Sequence, residues 1–127
     1  MTFKIDHIHM RCQDPEATLL FYKQMFGAEE VARFESRGML IIRALVGGVI
    51  LALSPKKAGM DISPPDGSPQ CGVYELGFVV EDIHRTCTEL KAKGAEFIEE
   101  PVEARPGVHL AFLKAPDNMQ IEILQRD

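Results

Sequence analysis

IDHIHMRCQDPEATLLFYKQMFGA, residues 5–28, reads as a strand that leads into a capped helix and stops at a glycine. Side chains alternate between the faces of a strand, so His7 and His9 share one face. Ile8, with Asp6 and Met10, takes the other, beneath a helix. Asp14 stands at the N-cap position and Pro15 at the first helical position, where its missing N–H costs nothing. The run after it carries Ala17, Leu20, Phe21 and Met25 at helical spacing before Gly27 ends the element. Two imidazoles on one face suit metal or acid–base chemistry, and a hydrogen-bonded pair at a strand end is the structural alternative.

The pattern recurs. His7-Ile8-His9-Met10-Arg11-Cys12-Gln13-Asp14 lies over Glu75-Leu76-Gly77-Phe78-Val79-Val80-Glu81-Asp82 at an offset of 68, and Gly27-Ala28-Glu29 over Gly94-Ala95-Glu96 at an offset of 67. Two anchors at nearly one spacing mark a duplicated unit. In the second copy Asp82 caps a helix with Ile83, Cys87 and Leu90 on one stripe, and Gly94 stands at C′. Three strand candidates follow each helix: Glu30–Glu35, Leu40–Val46 and Val49–Leu53, then Glu96–Val102, His109–Lys114 and Gln120–Leu124. Gly47-Gly48 and Asp117-Asn118 suit tight hairpins with positive φ. Each half is therefore βαβββ. The expected organisation is module one at 1–54, a linker at 55–70 and module two at 71–127. The stretch SPKKAGMDISPPDGSPQ, rich in Pro, Gly and Ser, marks that connection, and its length also suits a loop covering a cavity.

A chain of 127 residues, 26% charged and 46% hydrophobic, can bury the core of one domain without staples. Its apolar runs fall short of a membrane span, and MTFKIDH lacks the apolar core of a signal peptide, so a cytoplasmic protein is expected. Cys12, Cys71 and Cys87 are odd in number and widely spaced, which fits neither a disulfide framework nor a CxxC zinc site. A net charge of −5, with no basic cluster beyond Lys56-Lys57, argues against nucleic acid or an anionic membrane as partner and leaves a small molecule.

The tandem βαβββ pair, the strand histidine with Asp-Pro after it, FY near the end of the first helix, Gly-Ala, and KAPDNMQIEIL at the close together resemble the vicinal oxygen chelate superfamily. Glyoxalase I, methylmalonyl-CoA epimerase, fosfomycin-resistance transferases, extradiol dioxygenases and bleomycin-resistance proteins belong to it. The resemblance covers essentially the whole chain as one domain, 1–127. It implies an α+β fold whose tandem modules form a half-open barrel, a divalent metal held from the first and last strands of each module, and a homodimer.

Carried over position by position, the resemblance implies His7, Glu75 and Glu122 as metal ligands. Aligning Gly48 with Asn118 puts Ala52 over Glu122 at the fourth place, and alanine cannot bind a metal. One imidazole and two carboxylates suit Mn²⁺, Fe²⁺, Co²⁺, Ni²⁺ or Mg²⁺ better than a structural Zn²⁺. His9, Arg11, Arg43, Ala52, His109 and Gln120 are the expected cavity residues, His109 being equally compatible with a solvent-facing place. Tyr22 is expected in the helix-to-sheet core and His84 on the surface.

Glu75 and Glu122 stand in the apolar strands VYELGF and MQIEIL, where unpartnered carboxylates are costly and must take up a proton or find a cation. A metal is one solution, and Arg11 or Arg43 in a metal-free binder is another. The activity implied is that of a metal-dependent lyase or isomerase of the glyoxalase or epimerase kind. Its ion would polarise vicinal oxygens of a small substrate and stabilise an enediolate, with Glu122 as base. The alternative is a metal-free small-molecule or drug binder of the bleomycin-resistance type. A fosfomycin-type transferase or a dioxygenase fits less well.

Overall fold

The computed structural model describes residues 2–60 and 71–127. They divide into two compact units, one within Met1–Asp61 and the other within Ile62–Asp127. Most of the proline-rich connection, residues 61–70, and with it the expectation of a cavity-covering loop, lies outside the described residues.

The first unit runs β1 (Ile8–Cys12), α1 (Pro15–Phe26), β2 (Glu29–Ser36), β3 (Met39–Val46) and β4 (Val49–Pro55). The second runs β5 (Glu75–Val79), α2 (Ile83–Ala92), β6 (Phe97–Arg105), β7 (Val108–Lys114) and β8 (Gln120–Arg126). Both are βαβββ, with sheet orders β1-β4-β3-β2 and β5-β8-β7-β6. In each, the first strand pairs parallel to the last, and the remaining pairs are antiparallel. This is the α+β architecture of the glyoxalase-like fold.

The helix caps follow from the sequence. Asp14 and Asp82 accept from the amides of Ala17 and Arg85 at 3.1 and 3.0 Å, satisfying donors that the first turn leaves open. Gly94 follows the C-cap Lys93 with φ +92°, a value that only glycine adopts without strain. The Gly47-Gly48 and Asp117-Asn118 hairpins all have positive φ as expected, and Arg37-Gly38 forms a third such turn.

One face of each sheet is covered by its helix. In the first unit Ile42, Ala44, Leu51 and Leu53 form that layer, and in the second Ala111, Leu113, Ile121 and Ile123 do, all essentially without exposure. Ile83, Cys87 and Leu90 seal the second layer from α2 as expected. On α1 the buried stripe is Pro15, Thr18, Leu19 and Tyr22, not Ala17, Leu20, Phe21 and Met25; Leu20 is 53% exposed. LLFYKQMF is apolar on more than one face, so helical spacing alone does not choose the buried one.

Two boundaries differ from expectation in ways that bear on the site. β4 continues through Ser54 and Pro55, because parallel pairing with Arg11 and Cys12 carries it beyond the apolar run. His7 stands one residue ahead of β1.

Candidate functional site

In the first unit one cross-strand row runs His9, Ala52, Arg43 over β1, β4 and β3, on the face opposite the α1 core. Ser54 follows Ala52 by two positions on that face, fully buried, and its Oγ is 2.7 Å from His9 Nε2. Partial burial, with the nearby charges of Arg11 and His7, lowers the His9 pKa below the ordinary imidazole value. The His7 and His9 rings meet edge to face at 6.2 Å between centroids, so they share a side although His7 precedes the strand. Asp6 Oδ2 accepts from His7 Nδ1 at 2.7 Å and from Arg43 Nη2 at 3.2 Å. These bonds and the Arg43 charge hold the Asp6 carboxyl below the usual carboxylate range. Arg11 donates to the Pro55 carbonyl at 3.3 Å.

In the second unit the corresponding row is Gly77, Glu122, Phe112. This matches the alignment of Ala52 with Glu122, since each lies between the first and third strands of its module. Bulk has changed hands between the two rows. Where the first has histidine beside alanine, the second has glycine beside glutamate, and a Cβ built at Gly77 would stand 3.8 Å from Glu122 Oε2.

Glu75 and Glu122 are brought together. Both are half-buried, Glu75 Oε1 accepts from Gln120 Nε2 at 2.7 Å, and Glu75 lies near enough to the Glu122 carboxyl to raise its pKa. Burial raises the Glu122 pKa most, the Glu75 hydrogen bond and charge raise it further, and Arg105 and Arg126 pull it down. The same pair of oxygens offers a divalent ion two hard ligands.

His109 is not on the Glu122 face. It pairs with Gln125, two residues beyond the buried Ile123, so strand alternation puts it on the helix-covered side at the sheet end. There its Nε2 is 3.3 Å from Asp127 Oδ2, which corrects its expected place in the cavity. Arg11 and Arg43 make their contacts within the first unit, Arg43 with Asp6. Among the described residues, no group of three or more His, Cys, Asp or Glu stands together in a way that could hold a metal ion. The second unit supplies Glu75 and Glu122, and His7 belongs to the first. Sequence reasoning missed Asp6 and Ser54. Asp6 stood next to His7 but was assigned to the buried face, and Ser54, the last residue of module one, lay beyond the strand candidate Val49–Leu53 and was given no role.

Residues 4–123 match the family model described as Glyoxalase/Bleomycin resistance protein/Dioxygenase superfamily, and the chain belongs to that superfamily. It is 28% identical over 129 residues to a probable lactoylglutathione lyase of Vibrio cholerae serotype O1, covering 96% of this chain and 90% of the relative. Its fold is similar to a glyoxalase I mutant from Zea mays, with a TM-score of 0.76 and 20% identity over 97% of this chain and 44% of that one. It is also similar to a mutant of the fosfomycin resistance protein FosX from Listeria monocytogenes, solved with Mn(II) and 1S,2S-dihydroxypropylphosphonic acid. That TM-score is 0.69 at 17% identity, over 100% of this chain and 95% of the other. No helix of the described residues is long and apolar enough to cross a membrane.

Proposed function

We propose that the protein is a divalent-metal-dependent lyase or isomerase of the glyoxalase or epimerase kind, acting on a small molecule with vicinal oxygens. His7, Glu75 and Glu122 hold the ion, and Mn²⁺, Fe²⁺, Co²⁺, Ni²⁺, Mg²⁺ and Zn²⁺ are the candidates. The observation that carries the reading is the Glu75–Glu122 pair. Two neighbouring carboxyl groups on a half-buried sheet face call for a proton or a cation, and among the described residues Arg105 and Arg126 act on Glu122 through their charge alone. The ion, when bound, supplies positive charge to oxygens on which negative charge develops.

The chain's own residues do the rest. Gln120 anchors Glu75 by donating to Oε1, which leaves Glu122 as the freer of the two carboxyl groups. A bound ion would lower its proton affinity, so Glu122 would serve as base on loosening from the ion, where burial restores its basicity. A homodimer in the cytoplasm belongs to the same reading, and sedimentation of the purified protein tests the assembly.

The test is the metal content of untagged protein, wild type beside Glu122→Ala, after loading with each candidate ion. About one ion per chain in the wild type, lost in the variant, is expected from three ligands of which one is removed. No stoichiometric ion under any loading would sink the mechanism and leave a metal-free small-molecule binder.

A further inference from the structure

The Asp6 carboxylate is a hub for two donors, His7 Nδ1 and Arg43 Nη2. An ionised carboxylate only accepts, so at 2.7 Å the His7 proton must reside on Nδ1, and in the neutral ring Nε2 is then the atom with the lone pair.

Arg43 reaches this carboxylate from a distance. It sits on β3, while Asp6 precedes β1, and β4 lies between them. Two strand spacings amount to about 9.6 Å. In register Arg43 lies beside Ala52, so its neighbour on β4 is a single methyl group. The place where the family resemblance expects a fourth ligand is filled in this chain by that methyl group, beside an arginine bonded to the carboxylate behind His7. The Asp6 side chain is 73% exposed, so the pair adds little to stability. What the bonds can set is the tautomer of the ring.

We propose that Asp6, held by Arg43, is a positioning residue that fixes His7 in the Nδ1–H tautomer and keeps Nε2 as its lone-pair atom. The proposal rests on the reading of His7 as a metal ligand for its purpose, and on the hydrogen bonds alone for its content. A carboxylate behind a ligating histidine orients the ring and raises its basicity, and loss of such partners costs 10–100-fold in metal affinity.

Ring ¹⁵N NMR of metal-free protein at about pH 8, where an ordinary imidazole is neutral, reads the tautomer directly, with His7→Gln assigning the resonances. The wild type is expected to show Nδ1 protonated and Nε2 unprotonated. Asp6→Ala should redistribute the proton between the two nitrogens, and Asp6→Asn, whose Oδ1 still accepts, should restore the wild-type pattern. Arg43→Gln should loosen it partway. Mn²⁺ affinity of Asp6→Ala, by calorimetry, should fall about 10–100-fold. A wild-type ring protonated on Nε2, or a proton distribution unmoved by Asp6→Ala, would overturn the proposal. A fixed tautomer in a wild type that binds no Mn²⁺ would uphold Asp6 as the positioning residue while refuting the metal reading above.

Discussion

Glu122 lies beside Gly77 in register, and the absence of a bulky side chain there leaves its carboxylate clear on the side toward the neighbouring strand. Gly77 has no positive φ and its Cβ would meet Oε2 at ordinary van der Waals distance, so Gly77→Ala should be tolerated and retain metal binding. Gly77→Val would push branches into the carboxylate. We expect it to lose at least tenfold in Mn²⁺ affinity while its far-UV circular dichroism remains that of the wild type, and unchanged affinity would show that Glu122 does not need this opening. At this scale the sequence was only half legible. Glu75 and Glu122 were singled out by the family resemblance, and both stand in apolar strands. Asp6 escaped because strand alternation assigned it to the buried face, whereas it lies ahead of β1, where alternation no longer governs.

The elements were the most legible part, for reasons that differ between them. Asp14-Pro15 and Asp82 announce helix starts through local chemistry that needs no knowledge of the rest of the chain, and both caps are present. Replacing either aspartate by alanine should cost about 1 kcal/mol of stability, measured by urea unfolding. No effect at either site would mean that the helix is held by packing alone. Strand ends were less legible because a partner decides them. β4 extends through Ser54-Pro55 only because β1 lies alongside. His109 was misplaced for a related reason: alternation with Ala111 and Leu113 was seen, but which face those residues occupied was decided by α2, which packs against β7 and β8.

At the scale of the molecule, the duplication was readable from two anchors and gave the βαβββ pair, whereas the metal, the substrate and the assembly rest on the family. The raised proton affinity of Glu122 has a consequence for the whole chain. A carboxyl whose folded pKa lies above its unfolded value stabilises fully below that unfolded value, and the contribution is lost as pH rises through the folded one. The Glu122 contribution should therefore fall as pH rises above its ordinary value of 4.5, against the opposite contribution of His9, whose lowered pKa adds stability as pH rises toward the ordinary imidazole value, and Glu122→Gln should remove the falling part of the slope. Mn²⁺ competes with the proton, so its addition should reverse the trend, adding about 2.7 kcal/mol at a hundredfold excess over the dissociation constant. Urea midpoints from pH 5 to 8, with and without chelator, check both signs. A wild-type slope identical to that of the glutamine variant would show that Glu122 is not the group responsible.

The parallel pairing of β1 with β4, and of β5 with β8, also sets an order of events in time. Among the described residues, each module's first strand is an edge strand whose sheet neighbour is the last strand of that module. Ile8 cannot meet Leu51 until more than forty further residues have been made, a wait of about 2–9 s at ordinary rates of synthesis. His7 immediately precedes the earlier of these waiting strands and Glu75 opens the later one. In a nascent chain, the residues assigned to the chemistry stand beside the last hydrogen-bond ladder that each half completes.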